Sequence, residues 1–94
     1  MSEAIKLPGL NGKVVVITGA NGGQGSAETR VLLASGAVVI ATDVQDQASA
    51  ALLEFGAAHP GQLHYLQLDV ASKAGWESVA DFIRERGLKL HGLV

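Results

Sequence analysis

The stretch Thr18-Gly19-Ala20-Asn21-Gly22-Gly23-Gln24-Gly25 places four glycines within seven positions, directly after the β-branched run Val14-Val15-Val16-Ile17. Glycine at such a junction tolerates positive φ and lets main chain approach a ligand with no Cβ in the way. If a helix begins there, its first amides lack partners and carry roughly half a positive charge, a seat for an anion such as a diphosphate. Gly19 is expected to make the tight turn. Gly23, with Asn21, Gly22 and Gln24 around it, is expected to admit the phosphates, and Gly25 to let helix and strand pack closely. Asp43 stands about twenty residues on, where a carboxylate accepts bonds from the 2′- and 3′-hydroxyls of an adenosine ribose, with Val44 beside it. No Lys or Arg occupies Asn21, Gly22, Val44 or Gln45 to meet a 2′-phosphate, and the carboxylate repels one. The residues therefore point to NAD rather than NADP. With no ligand at all, the same glycines would serve as a tight strand–helix turn and Asp43 as a helix-capping carboxylate. A turn whose amides were taken up by the protein's own side chains would exclude the phosphate seat.

Other chemistries find less support. A phosphate loop of the Gly-Lys-Ser/Thr kind is absent. Ser26, His64 and Asp69 make a triad only on paper, because no Gly-x-Ser-x-Gly elbow carries the serine. His59, His64 and His91 show no i, i+4 pairing, so no metal site is expected. The sequence has no cysteine, which removes disulfides, thiolate metal sites and Cys nucleophiles together.

These residues need elements to hold them. Lys13–Thr18 and Ala37–Thr42 are continuous apolar runs, as in strands buried on both faces of a parallel sheet. Leu63–Leu68 alternates more and reads as a strand nearer a sheet edge; Leu93-Val94 opens a fourth. Between them lie helical stripes. Ala27, Val31 and Ala34 share a face from Gln24 to Ser35, with Gly36 as the stop. Ala48, Ala51, Leu52 and Phe55 repeat at helical spacing before Pro60-Gly61. Trp76, Val79, Ala80 and Ile83 do the same, with Ser72 as N-cap and Gly87 as stop. Strand and helix alternate as β-α-β-α-β-α plus the start of a fourth strand. That order predicts an α/β class, a Rossmann-type doubly wound parallel sheet, here truncated. Residues 1–9 read as a flexible lead-in and 10–94 as the N-terminal dinucleotide-binding part of such a domain.

At these motifs the chain resembles the short-chain dehydrogenase/reductase family over residues 8–94. Thr18, Gly19, Gly23 and Gly25 match the T-G-x-x-x-G-x-G of its compact branch. Gly22 also satisfies the T-G-x-x-G-x-x-G of the extended branch, but other segments favour the compact one. Leu10-Asn11-Gly12-Lys13 is similar to its lead-in, and Asp69-Val70 to its adenine-contacting pair. Leu90-His91-Gly92-Leu93-Val94 looks like the segment before its Asn-Asn-Ala-Gly motif. Asp46 and Trp76 sit in surroundings like those of its steroid and ketone dehydrogenases. The resemblance implies that Asp69 binds the adenine amino group and that Val70 makes the matching backbone contact; Asp69 also reads as a helix-entry carboxylate.

By the same resemblance the chain is an NAD-dependent oxidoreductase acting on alcohols or ketones, steroid-like ones included, by hydride transfer. The family's Ser and Tyr-x-x-x-Lys are not in this sequence: Tyr65 is its one tyrosine, and the residue four further on is Asp69. The 94 residues alone are therefore expected to be inactive. Two alternatives stand beside this reading: a non-catalytic dinucleotide-binding module, and a structural fragment that self-associates. Self-association is expected because the fourth strand should pair beside the first, leaving Val14–Ile17 with one unpaired edge and apolar helix face uncovered. With 48% hydrophobic and 17% charged residues the chain is expected to fold rather than stay disordered. A net charge of −2 with no basic stripe predicts no nucleic-acid partner and no membrane partner. A polar N-terminus and short apolar runs predict a cytoplasmic protein.

Overall fold

Val14–Ile17 forms strand β1 in the computed structural model, which describes residues 9–94. The expected lead-in over residues 1–9 thus lies outside the described residues apart from Gly9. Helix α1 follows at Gly23–Ala34, then β2 at Val38–Asp43, α2 at Ala50–Ala58, β3 at Leu63–Gln67, α3 at Lys73–Glu85 and β4 at Leu90–Leu93. The four strands make one parallel sheet in the order β3-β2-β1-β4.

The uninterrupted β-branched run of β1 is explained by what lies on its two faces. Val15 and Ile17 join Leu33, Val39, Ala41 and Leu52 under α1 and α2. Val14 and Val16 join Ile40, Leu68, Val79 and Ile83 under α3. A strand with helices on both faces has no polar side, so period-two alternation disappears. Edge strand β3 keeps only partial burial along Leu63–Leu66, as its alternation implied. After β3 the chain crosses back over β2 and β1 to reach β4. A right-handed crossover in the reversed direction puts its helix, α3, on the opposite face from α1 and α2.

The helix signals hold at most ends. Ser72 Oγ accepts the Gly75 N–H at 3.0 Å and caps α3. Gly36 and Gly87 both adopt positive φ where α1 and α3 stop. Helix α2 begins later than its apolar spacing suggested. Ser49 caps it by accepting the Leu52 N–H at 3.2 Å, so Ala48 packs on the core from the preceding loop.

Two expectations are corrected. The buried stripe of α1 is Gly25, Thr29 and Leu33, whereas Ala27 is exposed and Val31 and Ala34 are half-buried. Close contact at Gly25 sets the rotation of the helix, and Thr29 is tolerated inside because its hydroxyl donates to the Gly25 carbonyl at 2.8 Å. Ala27 and Val31 instead line an open groove of about 470 Å³ with Gln24, Glu28, Leu32 and Val94. Second, β1 has no unpaired edge. Strand β4 starts at Leu90, earlier than Leu93, and pairs with β1 through Val94 N–H to Val16 O at 2.8 Å. The register slips between Val14 and Val15, and there the His91 Nδ1 accepts the Val14 N–H at 3.1 Å in place of a main-chain carbonyl. The outer edge therefore belongs to β4, with Leu90, Leu93 and Val94 exposed.

On the α3 face His64 meets the Phe82 ring edge-on, centroids 5.3 Å apart, and Arg86 lies 4.4 Å over the same ring. Burial, and then the Arg86 charge, hold the His64 imidazole below its ordinary pKa of 6.5. The unfolded chain consequently binds this proton more readily than the folded one, so stability falls as pH drops below 6.5 through the folded value. In thermal melts from neutral to mildly acid pH, His64→Gln should flatten this acid-side decline by a few degrees. An acid limb as steep as the wild type's would remove His64 from the cause.

Candidate functional site

The carboxyl ends of all four parallel strands lie on one side of the sheet, and the expected site residues gather there. The chain leaves β1 toward β2 and β3 on one side and later returns to β4 on the other. This reversal opens a crevice between β1 and β4, the position where open α/β sheets take ligands. The glycine turn follows the end of β1 at this point.

Each glycine meets a different constraint. Gly19 adopts φ +66°, a conformation that L side chains rarely take. A Cβ on Gly25 would lie 2.3 Å from the Gly19 carbonyl oxygen and 2.8 Å from the Ala20 Cα, both backbone atoms. Gly25 is thus what lets α1 press against the turn. A Cβ on Gly23 would meet nothing within 4 Å. It would project into the open space beside the helix mouth. Gly22, at the N-cap, offers no side chain to the first-turn amides.

Part of the turn is held by the protein itself, the Asn21 N–H by the Asp43 side chain, which leaves the first amides of α1 as the part open to an anion. The Ala20 N–H donates to the Thr42 carbonyl at 2.9 Å and the Gly22 N–H to the Gly19 carbonyl at 3.1 Å. Thr42, fully buried, donates its hydroxyl to the Ile17 carbonyl at 2.8 Å and ties β2 to the end of β1. Thr18 anchors the other flank, its N–H and hydroxyl both reaching the Val94 carbonyl, at 3.0 and 3.2 Å. The helix mouth at Gly23, Gln24 and Gly25 is the portion left with a positive dipole end and no capping side chain.

Asp43 ends β2 with its carboxylate beside this turn. Its Oδ2 accepts the Asn21 N–H at 3.0 Å and its Oδ1 the Val44 N–H at 2.8 Å. Each oxygen retains a further lone pair for a hydroxyl donor. Asp69 lies past β3, its Oδ1 accepting the Ala71 N–H at 2.9 Å as a helix-entry turn. Val44 and Val70 are 57% and 58% exposed, two apolar side chains at the rim formed by the ends of β2 and β3. Trp76 packs partly into the α3-face core and donates its indole N–H to the Val70 carbonyl at 2.9 Å, which fixes that corner. The histidines sit at the end of α2, within β3 and within β4, on three separate elements.

The Asn21 side chain does something its place in a glycine turn did not reveal. Its Nδ2 lies 2.9 Å from Gln45 Oε1, 3.2 Å from the Gln47 carbonyl and 3.2 Å from the Tyr65 hydroxyl, and its Oδ1 accepts the Ser49 N–H at 2.7 Å. Tyr65 donates its hydroxyl to the Gln45 carbonyl at 2.6 Å. Burial, then the Asp43 and Asp46 charges, push the Tyr65 hydroxyl up, against the opposing pull of its bond from Asn21. Tyr65 is thus a protonated donor, the opposite of a phenol tuned for proton transfer. The sequence holds the participants but not the register, Ala41 beside Tyr65, that brings them together.

Comparison with known proteins agrees with this architecture. The family model described as short chain dehydrogenase matches residues 13–94. A short-chain dehydrogenase/reductase of Phomopsis amygdali is 40% identical over 76 residues, covering 77% of this chain and 23% of that relative. The 3beta-hydroxysteroid dehydrogenase 2 of Eggerthella lenta is 35% identical, covering 86% of this chain and 31% of that relative. Among solved structures, a short chain dehydrogenase from Mycobacterium smegmatis superposes with a TM-score of 0.80 at 26% identity, covering 99% of this chain and 39% of that one. The chain spans 23% and 31% of the length of these two curated relatives. With the glycine turn at the sheet's point of reversal and the family model matched from the first strand to the last residue, the chain belongs to the short-chain dehydrogenase/reductase family.

Proposed function

We propose that residues 10–94 are the dinucleotide-binding part of an NAD-dependent oxidoreductase of the compact branch, acting on alcohols or ketones by hydride transfer. The observation that carries this reading is the mouth of α1 at Gly23–Gly25, which no side chain caps. The Asp43 carboxylate stands at its rim, bonded to the Asn21 amide at 3.0 Å. The mouth at Gly22–Gly25 takes the diphosphate, and Gly23 leaves room for it. Asp43 takes the adenosine ribose hydroxyls, and Val44 and Val70 flank the adenine, with Asp69 at its amino group. The nicotinamide, when bound, supplies or accepts the hydride. This chain's own residues bind and orient the cofactor, and we assign them no proton-transfer role. The relatives named as dehydrogenases of a hydroxysteroid and of cyclopentanol favour alcohol and ketone substrates. No described helix is long and apolar enough to cross a membrane, and a cytoplasmic setting is part of the proposal.

Nicotinamide fluorescence on titrating the 94-residue chain into NADH tests the reading. Saturable binding, millimolar or tighter and weaker for NADPH, is the expected result, with no turnover of alcohols by the chain alone. Absence of saturation for both nucleotides would overturn it. The groove of Ala27, Val31, Leu32 and Val94 and the exposed Leu90 and Leu93 also favour self-association, which a purely monomeric sedimentation profile would refute.

A further inference from the structure

We propose that Asn21 and Tyr65 form a clamp that holds the β2–α2 loop against the glycine turn and so sets the discrimination between an adenosine 2′-hydroxyl and a 2′-phosphate. The inference rests on the dinucleotide reading above and concerns residues that would not themselves need to touch the cofactor.

The loop in question runs from Val44 to Ser49, and Gln45, Asp46 and Gln47 are exposed. A polar connection of this kind is ordinarily mobile. Here one amide reaches three points along it. Asn21 engages Gln45 and Gln47 through Nδ2 and Ser49 through Oδ1. Two N–H bonds serve three acceptors, so the third is shared. Ser49 in turn caps α2 through the Leu52 N–H, which carries the restraint into the helix. Tyr65 closes the ring from β3, accepting from Asn21 Nδ2 and donating to the Gln45 carbonyl.

The same Asn21 donates its main-chain N–H to Asp43 Oδ2. A single residue therefore fixes the carboxylate through its backbone and the neighbouring loop through its side chain. The separation between Asp43 and the loop becomes a property of the fold. A 2′-phosphate needs both added volume and a cation at this rim. Residues 43–49 carry no cation and two carboxylates, Asp43 and Asp46. With the loop held, neither carboxylate can withdraw from an incoming phosphate. With it released, the loop yields, and Asp43 loses part of its aim at the ribose hydroxyls.

The test uses Tyr65→Phe, which removes one hydroxyl, beside Asn21→Ala. Dissociation constants for NADH and NADPH are measured on the wild-type chain and both variants. The NADH preference should fall about fivefold or more in each, because each substitution removes at least two hydrogen bonds of the network. The double variant should fall little further than Asn21→Ala, because both residues belong to one network. Amide exchange gives a readout free of any ligand: the Ser49 N–H should lose protection in Asn21→Ala. Variants that melt like the wild type yet retain its nucleotide preference and Ser49 protection would overturn the clamp. If Asn21→Ala fails to fold, Tyr65→Phe decides by the same ratio. A wild-type chain that binds neither nucleotide overturns the parent reading and the discrimination with it, an outcome distinct from a preference that survives in the variants.

Discussion

Asp43→Arg should invert nucleotide preference, weakening NADH about 10- to 100-fold and making NADPH the better ligand. That range corresponds to the loss of one hydrogen bond to a charged group, worth roughly 1.5–3 kcal/mol. The arginine also reverses the field at the rim, where the carboxylate repels a 2′-phosphate and a guanidinium pairs with it in a fork. The substitution takes away the acceptor of the Asn21 and Val44 N–H groups. Asp43 is only half-buried, so water replaces that acceptor and the fold survives. Asp43→Asn separates the two effects: it retains an acceptor oxygen but removes the charge, so preference should shrink without inverting. Paired dissociation constants for NADH and NADPH read the result directly. An Asp43→Arg chain that discriminates as the wild type does would remove Asp43 from the ribose.

What the sequence made legible follows from how strongly each feature is constrained by local chemistry. The β-branched run at Val14–Ile17 announces burial on both faces because no alternation remains, and Val14 and Val16 do face α3 while Val15 and Ile17 face α1 and α2. Ser72 and Gly36 are equally legible, since a cap and a left-handed stop each demand one residue type at one place. Where tertiary contact decides, the pattern misleads. Ala27 and Val31 look like a core stripe, but contact of Gly25 with the Gly19 carbonyl turns α1 so that polar Thr29 goes inside. Strand β4 is harder still, because Leu90-His91-Gly92-Leu93 carries a histidine and a glycine, and His91 earns its place by accepting the Val14 N–H at a register slip. The candidate site divides the same way. Its glycines and Asp43 are readable from spacing. The Asn21 network is not, because four of its five participants (Gln45, Gln47, Ser49 and Tyr65) come from segments brought beside the turn only by the parallel pairing of β1 with β2 and of β2 with β3.

Gly25→Ala and Gly23→Ala, two identical changes two residues apart, should have opposite consequences. At Gly25 the new methyl would sit 2.3 Å from the Gly19 carbonyl oxygen, 2.8 Å from the Ala20 Cα and 2.9 Å from the Gly19 carbonyl carbon. None of these belongs to a flexible side chain, so relief requires the turn to open or α1 to lift from it. Either movement disturbs the bonds from Ala20 to Thr42 and from Asn21 to Asp43. Overpacking of this kind costs about 1–3 kcal/mol. In a chain of this size the upper value lowers the Tm by about 12–24 °C, a large share of a marginal stability. At Gly23 nothing lies within 4 Å, and the backbone there is not in the left-handed region. Alanine costs the fold nothing and trims the freedom of the unfolded chain, so the melt should hold or rise slightly. On the proposed reading the methyl would crowd a diphosphate seated at the helix mouth, which main-chain amides must approach within hydrogen-bond distance. NADH binding should weaken about tenfold, the loss expected when one or two such bonds lengthen beyond useful range. Calorimetric melts and NADH titrations on the two variants separate the roles without any assay of turnover. The contrast carries the inference: a Gly23→Ala chain that both melts and binds NADH as the wild type does would show that the phosphates do not sit at this turn.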